Sequence, residues 1–171
     1  MSAIEQERVA SEAEQELDEK ISNEQIDVRN CPIEGNDGHW SGVRGNSKWI
    51  PDDDFIPRKV NPNNLSWKDS KKKYKIDGIP FKNGEPDFSE IEKGHVQIEA
   101  YGVSRSKNFA KADVELAKKR GCSPSEVRIW RKNNSYTWHE SKDCKTMCKI
   151  PNEIHLNVSH RGGISNKRNG A

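Results

Sequence analysis

Three histidines and a glutamate in the last third of the chain are the residues best suited to chemistry. His139 and Glu140 are adjacent, and His155 and His160 follow within the next 20 or so residues. Imidazole and carboxylate groups bind divalent cations and transfer protons. A cation held by the last two histidines and by a group from the segment before them would leave positions open for a phosphate oxygen and a water molecule, which suits phosphodiester hydrolysis.

The segments around these residues predict two strands followed by a helix. Residues 136–140 favour a β-strand that ends in the histidine–glutamate pair, and residues 146–150 favour a second strand. Residues 152–159 follow a proline that suits a first helical turn, and they precede two glycines that would stop a helix. We therefore expect His155 within a short helix and His160 at its end.

The spacing of the last two histidines bears on whether they can share a cation. They are five residues apart, which separates their side chains by about 140° on an ideal helix. They would not share one face unless the helix loosens before His160. The glycines that follow make such loosening reasonable.

Several short blocks around these residues form a combined pattern. The blocks are Tyr136-Thr137-Trp138-His139-Glu140, Lys145-Thr146-Met147, Ile150-Pro151, Ile154-His155 and His160-Arg161-Gly162-Gly163, with Gly78-Ile79-Pro80-Phe81 and Pro86-Asp87-Phe88 upstream. Together they resemble the HNH/endonuclease VII superfamily, and within it the bacterial polymorphic toxin nucleases that carry a Trp-His-His or Trp-His-Glu signature.

This resemblance implies a ββα-metal finger, in which a first-strand histidine activates water and the metal ion stabilises the transition state and the leaving 3′ oxygen. On that basis we expect His139 to be the general base, since an ordinary imidazole, with a pKa of ~6.5, is largely neutral at physiological pH. Glu140 stands where many relatives have a second histidine, so it could ligate the metal, orient His139 or serve as the base. The expected ligands of the divalent ion, which could be Zn, Mg or another, are His155, His160 and Glu140.

Charge is distributed unevenly along the chain. The first 30 residues carry nine acids and three bases, whereas the remaining 141 residues carry 18 acids and 26 bases. A basic excess of this kind favours a polyanionic partner. Nucleic acid is the expected substrate, with DNA favoured over RNA by the resemblance alone, and Arg128, Arg131 and Arg161 are the candidates for phosphate contacts.

Composition predicts one small, loop-rich α+β domain with an appended N-terminal segment. Only 31% of the residues are hydrophobic and 33% are charged, so the core must be small. Residues 1–30 are interpreted as an acidic helical linker or partner-docking segment. Residues 31–171 are interpreted as the nuclease domain, with its ββα-metal core at about 134–163. Between the N-terminal segment and the ββα-metal core, a strand is expected at residues 95–101, and helices are expected at residues 107–120 and from Pro124 onward.

The sequence has no apolar window long enough to cross a membrane, and its first residues lack the apolar core of a signal peptide. We therefore expect a soluble protein without membrane contact. The resemblance further implies the C-terminal module of a secreted or delivered bacterial toxin that acts in the target-cell cytoplasm. In such a system an acidic immunity protein would mask the basic site.

Two other interpretations compete with a nuclease. Cys144, Cys148, His155 and His160 could be the four ligands of a closed structural zinc site, which would make the chain a non-catalytic nucleic-acid-binding module. That interpretation leaves the histidine–glutamate pair without a role. In the other, the whole chain is an interaction domain whose acidic helix binds a partner.

Overall fold

The computed structural model of the chain describes residues 2–13 and 27–160. Residues 3–13 form a helix, and the remainder of the predicted N-terminal helix lies outside the described residues. From residue 27 onward, short strands alternate with helices, which confirms the α+β class. None of the described helices combines the length and the apolar character needed to span a bilayer.

The first half of the fold is a four-stranded antiparallel sheet. Strand β1 (Gly38–Trp40) pairs with β2 (Lys48–Pro51), β2 pairs with β3 (Ile79–Lys82), and β3 pairs with β4 (Glu85–Pro86). Helix α1 (Trp67–Tyr74) lies between β2 and β3 in the chain and starts with a capping box. This half of the fold contributes Lys59 to the cavity beside the histidines, and Phe88, which follows β4, packs against the histidine rings.

The second sheet carries the residues singled out in the sequence. It consists of β5 (His95–Gln97), β6 (Tyr136–Glu140) and β7 (Thr146–Pro151), in the order β5-β7-β6 with all neighbours antiparallel. Helix α4 (Asn152–His155) follows β7 directly. The predicted order of strand, strand and helix is therefore present, but the helix predicted to reach residue 159 ends at His155.

Two helices pack against this sheet, α2 (Arg105–Arg120) on β5 and α3 (Pro124–Asn133) on β6. Helix α2 ends at Gly121, whose φ of +65° is a left-handed conformation that glycine adopts without a steric penalty. Helix α3 starts at Ser123, which forms the predicted capping box with Glu126. Both boundaries agree with the sequence-based prediction.

Buried apolar side chains form two separate cores. The first joins the four-stranded sheet and α1 to Ile150 of β7 and Ile154 of α4. The second joins α2 and α3 to Trp138 of β6 and Met147 of β7. Because successive side chains of a strand point to opposite faces, β7 can contribute to both cores. This central strand therefore connects the site to both halves of the fold.

Residues 27–30, at the end of the predicted linker, pack against the domain. Val28 contacts the first core. The Asn30 carbonyl accepts a hydrogen bond of 2.7 Å from the Ser159 hydroxyl, close to the last of the three histidines. Residues 27–30 therefore pack against the same fold as the residues that follow them.

Lys149, in the middle of β7, is completely buried, with 0% of its surface exposed. Its ammonium lies 4.1 Å from the centroid of the Trp130 ring and has no hydrogen-bond partner among the residues that the structure describes. Burial lowers the pKa of Lys149 to about 8, with the nearby Arg120 charge adding to the effect. Keeping this amine protonated at neutral pH costs stability, because a buried charge loses its hydration.

We expect Lys149→Met to stabilise the protein at neutral pH. Because the pKa of Lys149 is about 8 in the folded state and has its ordinary value of 10.5 in the unfolded state, the unfolded chain binds more protons between these two values. The wild type should therefore gain stability relative to the variant, on the order of 2–3 kcal/mol, as the pH rises through this window. Urea unfolding at pH values of about 7.5 and about 10 measures the gain. The control is Lys132→Met, which changes an exposed lysine. The prediction would be contradicted if the free energy of unfolding changed equally with pH in the wild type and in Lys149→Met.

Candidate metal centre

Three histidines converge where β6 meets α4. His139 is in β6, His155 is the last residue of α4, and His160 follows in the next turn. Their ring centroids are 5.4, 5.1 and 4.9 Å apart, and one nitrogen from each ring lies within 4.8 Å of the other two. Imidazole nitrogens bind ions such as Zn²⁺ at ~2.0–2.1 Å, so small rotations of the rings would let all three hold one ion.

The early end of α4 allows His155 and His160 to meet. The Leu156 N–H still bonds to the Asn152 carbonyl, but the chain then turns, and Val158 is buried in the first core. This turn replaces the last part of the predicted helix, and the angular separation expected on a continuous helix no longer applies. The His160 Nδ1 donates to the Val158 carbonyl at 2.7 Å, which leaves Nε2 as the nitrogen with a free lone pair.

His139 is the most buried of the three, with only 2% of its surface exposed. Neither of its ring nitrogens has a hydrogen-bond partner within residues 2–13 and 27–160. Buried polar atoms in proteins are nearly always satisfied, so these nitrogens require an explanation. A cation bound to the nitrogen that carries the lone pair would satisfy that atom, and the residues therefore fit a metal ion.

The protonation state of the three histidines also suits a metal ion. Burial lowers the pKa of His139 far below its ordinary value, and it lowers the pKa of His155 to about 3. The pKa of His160 is lowered as well, chiefly by burial. All three imidazoles are therefore neutral at physiological pH, which is the form that binds metal ions.

Phe88 packs against all three histidine rings. It is 3% exposed, and its ring centroid lies 5.0, 6.3 and 5.8 Å from those of His139, His155 and His160. An apolar wall of this kind restricts the rings and excludes water from one side of the centre. In the sequence, Phe88 belongs only to an upstream block of the resemblance, and the structure brings it to the site.

Glu140 lies beside the histidine cluster and lines the same cavity of about 630 Å³. It is 5% exposed, its Oε2 accepts a hydrogen bond of 3.0 Å from the Asn108 amide, and its Oε1 lies 3.4 Å from the Arg105 Nε. Asn108 is itself fully buried, and its amide also bonds to the N–H and the carbonyl of Gly102. Residues of α2 thus hold the carboxylate at the cavity wall. The three-ligand cluster contains His139 and not Glu140, which differs from the predicted ligand set.

Arg131, a predicted phosphate contact, is occupied elsewhere. It is 8% exposed, and its Nη2 lies 2.9 Å from the Oδ2 of Asp113. The same carboxylate accepts a hydrogen bond of 2.8 Å from the Trp138 indole. A buried, paired guanidinium is unavailable to a substrate, so this network instead joins α2 and α3 to the strand that carries His139. In this structure Arg131 therefore has a structural role and does not present its guanidinium to a phosphate.

Of the other two predicted arginines, only Arg128 lies within the described residues. Arg128 is exposed on α3 but does not line the cavity, and Arg161 lies outside the described residues. The cavity is instead lined by Arg105 at the start of α2 and by Lys59 in the segment after β2. No sequence pattern connected these two cations to the histidines, which lie far from them in the chain.

The closed zinc site of two cysteines and two histidines is not formed. Cys148 packs against the first core, whereas Cys144 packs against the second. In the part of the chain that the structure describes, the only group of three or more suitable ligands close enough for one ion is the histidine trio. The structure therefore corrects the interpretation of Cys144, Cys148, His155 and His160 as one site.

The part of the chain that contains this site matches a known protein family. Residues 78–162 match the family model of the DNase/tRNase domain of colicin-like bacteriocins. The colicin-type segment spans just under half of the chain and contains β3 to α4 with all three histidines. It supports a nuclease module of the toxin type. No curated protein matches the chain.

We expect the protein to bind one equivalent of Zn²⁺ and to be stabilised by it. At a free concentration of about 100 times the Kd, zinc should add about 2.7 kcal/mol to the free energy of unfolding. Replacing His139, His155 or His160 by alanine removes a ligand and should lower the affinity by about 100-fold or more. Isothermal titration calorimetry and thermal unfolding measure both effects.

The matched control for these variants is His39→Ala, because His39 is exposed in β1 and lies outside the cluster. It should bind zinc as the wild type does. Equal zinc affinity in the wild type and in all three cluster variants would show that the ion binds elsewhere.

Proposed function

We propose that the chain is a metal-dependent endonuclease that hydrolyses phosphodiester bonds as the catalytic module of a bacteriocin-like toxin. The observation that carries the proposal is the trio of neutral imidazoles, one buried and two half-buried, at the wall of a cavity that also contains a carboxylate and two cations. The colicin-type match over residues 78–162 supports the same function. The order β6, β7 and α4 is compatible with the ββα-metal finger of the HNH nucleases that the motifs resemble.

The proposed ligands are His139, His155 and His160. A divalent ion held there would supply Lewis-acid stabilisation of the charge that develops on the phosphate and on the leaving 3′ oxygen. Three protein ligands are typical of catalytic sites, whereas structural zinc sites usually have four. Three nitrogen donors favour zinc or another transition metal over Mg²⁺, which prefers oxygen ligands.

The proposed roles of His139 and Glu140 differ from those expected from the sequence. His139 is assigned as a ligand because it belongs to the cluster and its nitrogens otherwise lack partners in the described structure. Glu140 is assigned as the general base that accepts the proton of the attacking water. The hydrogen bond from Asn108 and the nearby Arg105 guanidinium hold the carboxylate at the cavity wall, so the base is positioned before the substrate arrives.

DNA is the proposed substrate because of the sequence resemblance, and RNA is the second candidate because the description of the matched family covers both DNase and tRNase domains. The proposed partner is an acidic immunity protein that masks the basic side of the molecule. The proposed setting is the C-terminal module of a delivered toxin that acts in the target-cell cytoplasm.

Nicking of supercoiled plasmid DNA in the presence of Zn²⁺ or another divalent ion tests the proposed activity, with a structured RNA assayed in parallel. We expect His139→Ala to abolish both metal binding and cleavage. Glu140→Gln should retain metal binding and lower kcat by roughly 10²- to 10⁴-fold, because it removes only the proton acceptor.

Glu99→Gln, an exposed carboxylate that does not line the cavity, is the matched control and should cleave normally. Full activity of Glu140→Gln would rule out the assigned base. Undiminished cleavage by the wild type in EDTA would rule out metal dependence.

A further inference from the structure

Lys59 contributes a positive charge to the cavity beside the histidines. Besides the three imidazoles, the ionisable side chains among the described residues that line this cavity are Lys59, Arg105 and Glu140. The charges of Arg105 and Glu140 offset each other at 3.4 Å. Lys59 is exposed and makes no ion pair with any residue in the described ranges. Lys59 therefore supplies the cavity with a positive charge that no carboxylate in the described ranges offsets.

The backbone of Lys59 is hydrogen-bonded to Asn157, in the turn between His155 and His160. The Lys59 N–H donates to the Asn157 Oδ1 at 3.2 Å, and the Asn157 amide donates to the Lys59 carbonyl at 2.6 Å. The same amide also donates to the Glu153 carbonyl in α4 at 2.7 Å. Three hydrogen bonds thus fix Asn157, and through it they fix Lys59 relative to two of the three proposed ligands.

The loop that carries Lys59 is held in an unfavourable conformation. The next residue, Val60, has a φ of +43°, which is costly for a β-branched side chain. Asn61 braces the loop, because its amide donates to the carbonyls of Pro57 and Leu65 and its Oδ1 accepts from the Leu65 N–H. A strained loop that is held by side-chain hydrogen bonds on both sides is typical of a segment whose position matters for function.

We propose that Lys59 binds a phosphate of the nucleic-acid backbone next to the scissile bond, and that Asn157 is its positioning residue. A lysine ammonium is a compact charge with three donors, which suits contact with phosphate oxygens. Lys59 lies outside the colicin-type match, so the N-terminal half of the fold takes a direct part in substrate binding. This inference deepens the proposed nuclease function, since it assumes that the ligand of the cavity is a nucleic acid.

The test measures binding of a fluorescein-labelled DNA duplex to the full chain by fluorescence anisotropy in EDTA, at several salt concentrations. Lys59→Gln removes one phosphate contact, so we expect several-fold weaker binding and a plot of log K against log salt whose slope is smaller in magnitude by about 0.9. The control Lys111→Gln makes the same charge change at an exposed position of α2 that does not line the cavity, and it should leave the slope unchanged. An unchanged slope for Lys59→Gln, or equal changes in both variants, would overturn the proposal.

Asn157→Ala tests the positioning role. It should reproduce the loss of affinity seen with Lys59→Gln, and the double variant should bind no more than about twofold more weakly than Lys59→Gln alone. Zinc affinity equal to that of the wild type would show that the histidine turn is intact in each variant. Losses that add in the double variant would overturn the role of Asn157.

Binding in EDTA does not require cleavage, so this test is independent of the nicking assay. A chain that binds DNA through Lys59 but never cuts it would support this inference and contradict the proposed nuclease. A wild type that binds neither the duplex nor the structured RNA would overturn the inference whatever the nicking assay shows.

Discussion

The two ring nitrogens of His139 are buried without a hydrogen-bond partner in the described part of the chain. The other two histidines of the site lie next to these nitrogens. An unsatisfied buried polar atom costs about 1–3 kcal/mol. The fold maintains the arrangement because β7 packs into both cores and α4 turns sharply, which fixes His155 and His160 beside His139. Phe88 covers the three rings from one side. A bound cation would convert the cost into binding energy and would couple the metal to folding.

The elements whose signals are local could be predicted from the sequence. The strands of the second sheet, the capping box at Ser123 and the helix end at Gly121 all depend on residues within a few positions of one another. The length of α4 depends on distant contacts and could not be predicted. Val158 is buried in the first core, and Asn157 bonds to Lys59, which is 98 residues away, so the chain leaves the helix before residue 159.

The residues of the candidate site could be predicted more completely than their roles. His139 and Glu140 are adjacent in a strand, so their side chains leave the strand in opposite directions, although both line the cavity. No sequence pattern states which of the two the other histidines approach. The structure places His139 with them and places Glu140 against Asn108 of α2. The burial of Arg131 also escaped prediction, because its partner Asp113 lies 18 residues earlier in a different helix.

X-ray absorption spectroscopy of the zinc-loaded chain is the decisive test of the three-histidine centre, since it counts the ligand atoms around the ion and measures their distances. We expect three imidazole nitrogens at ~2.0–2.1 Å, with the remaining coordination from light oxygen or nitrogen atoms. A sulfur ligand at ~2.3 Å, or a shell with fewer than three imidazoles, would contradict it.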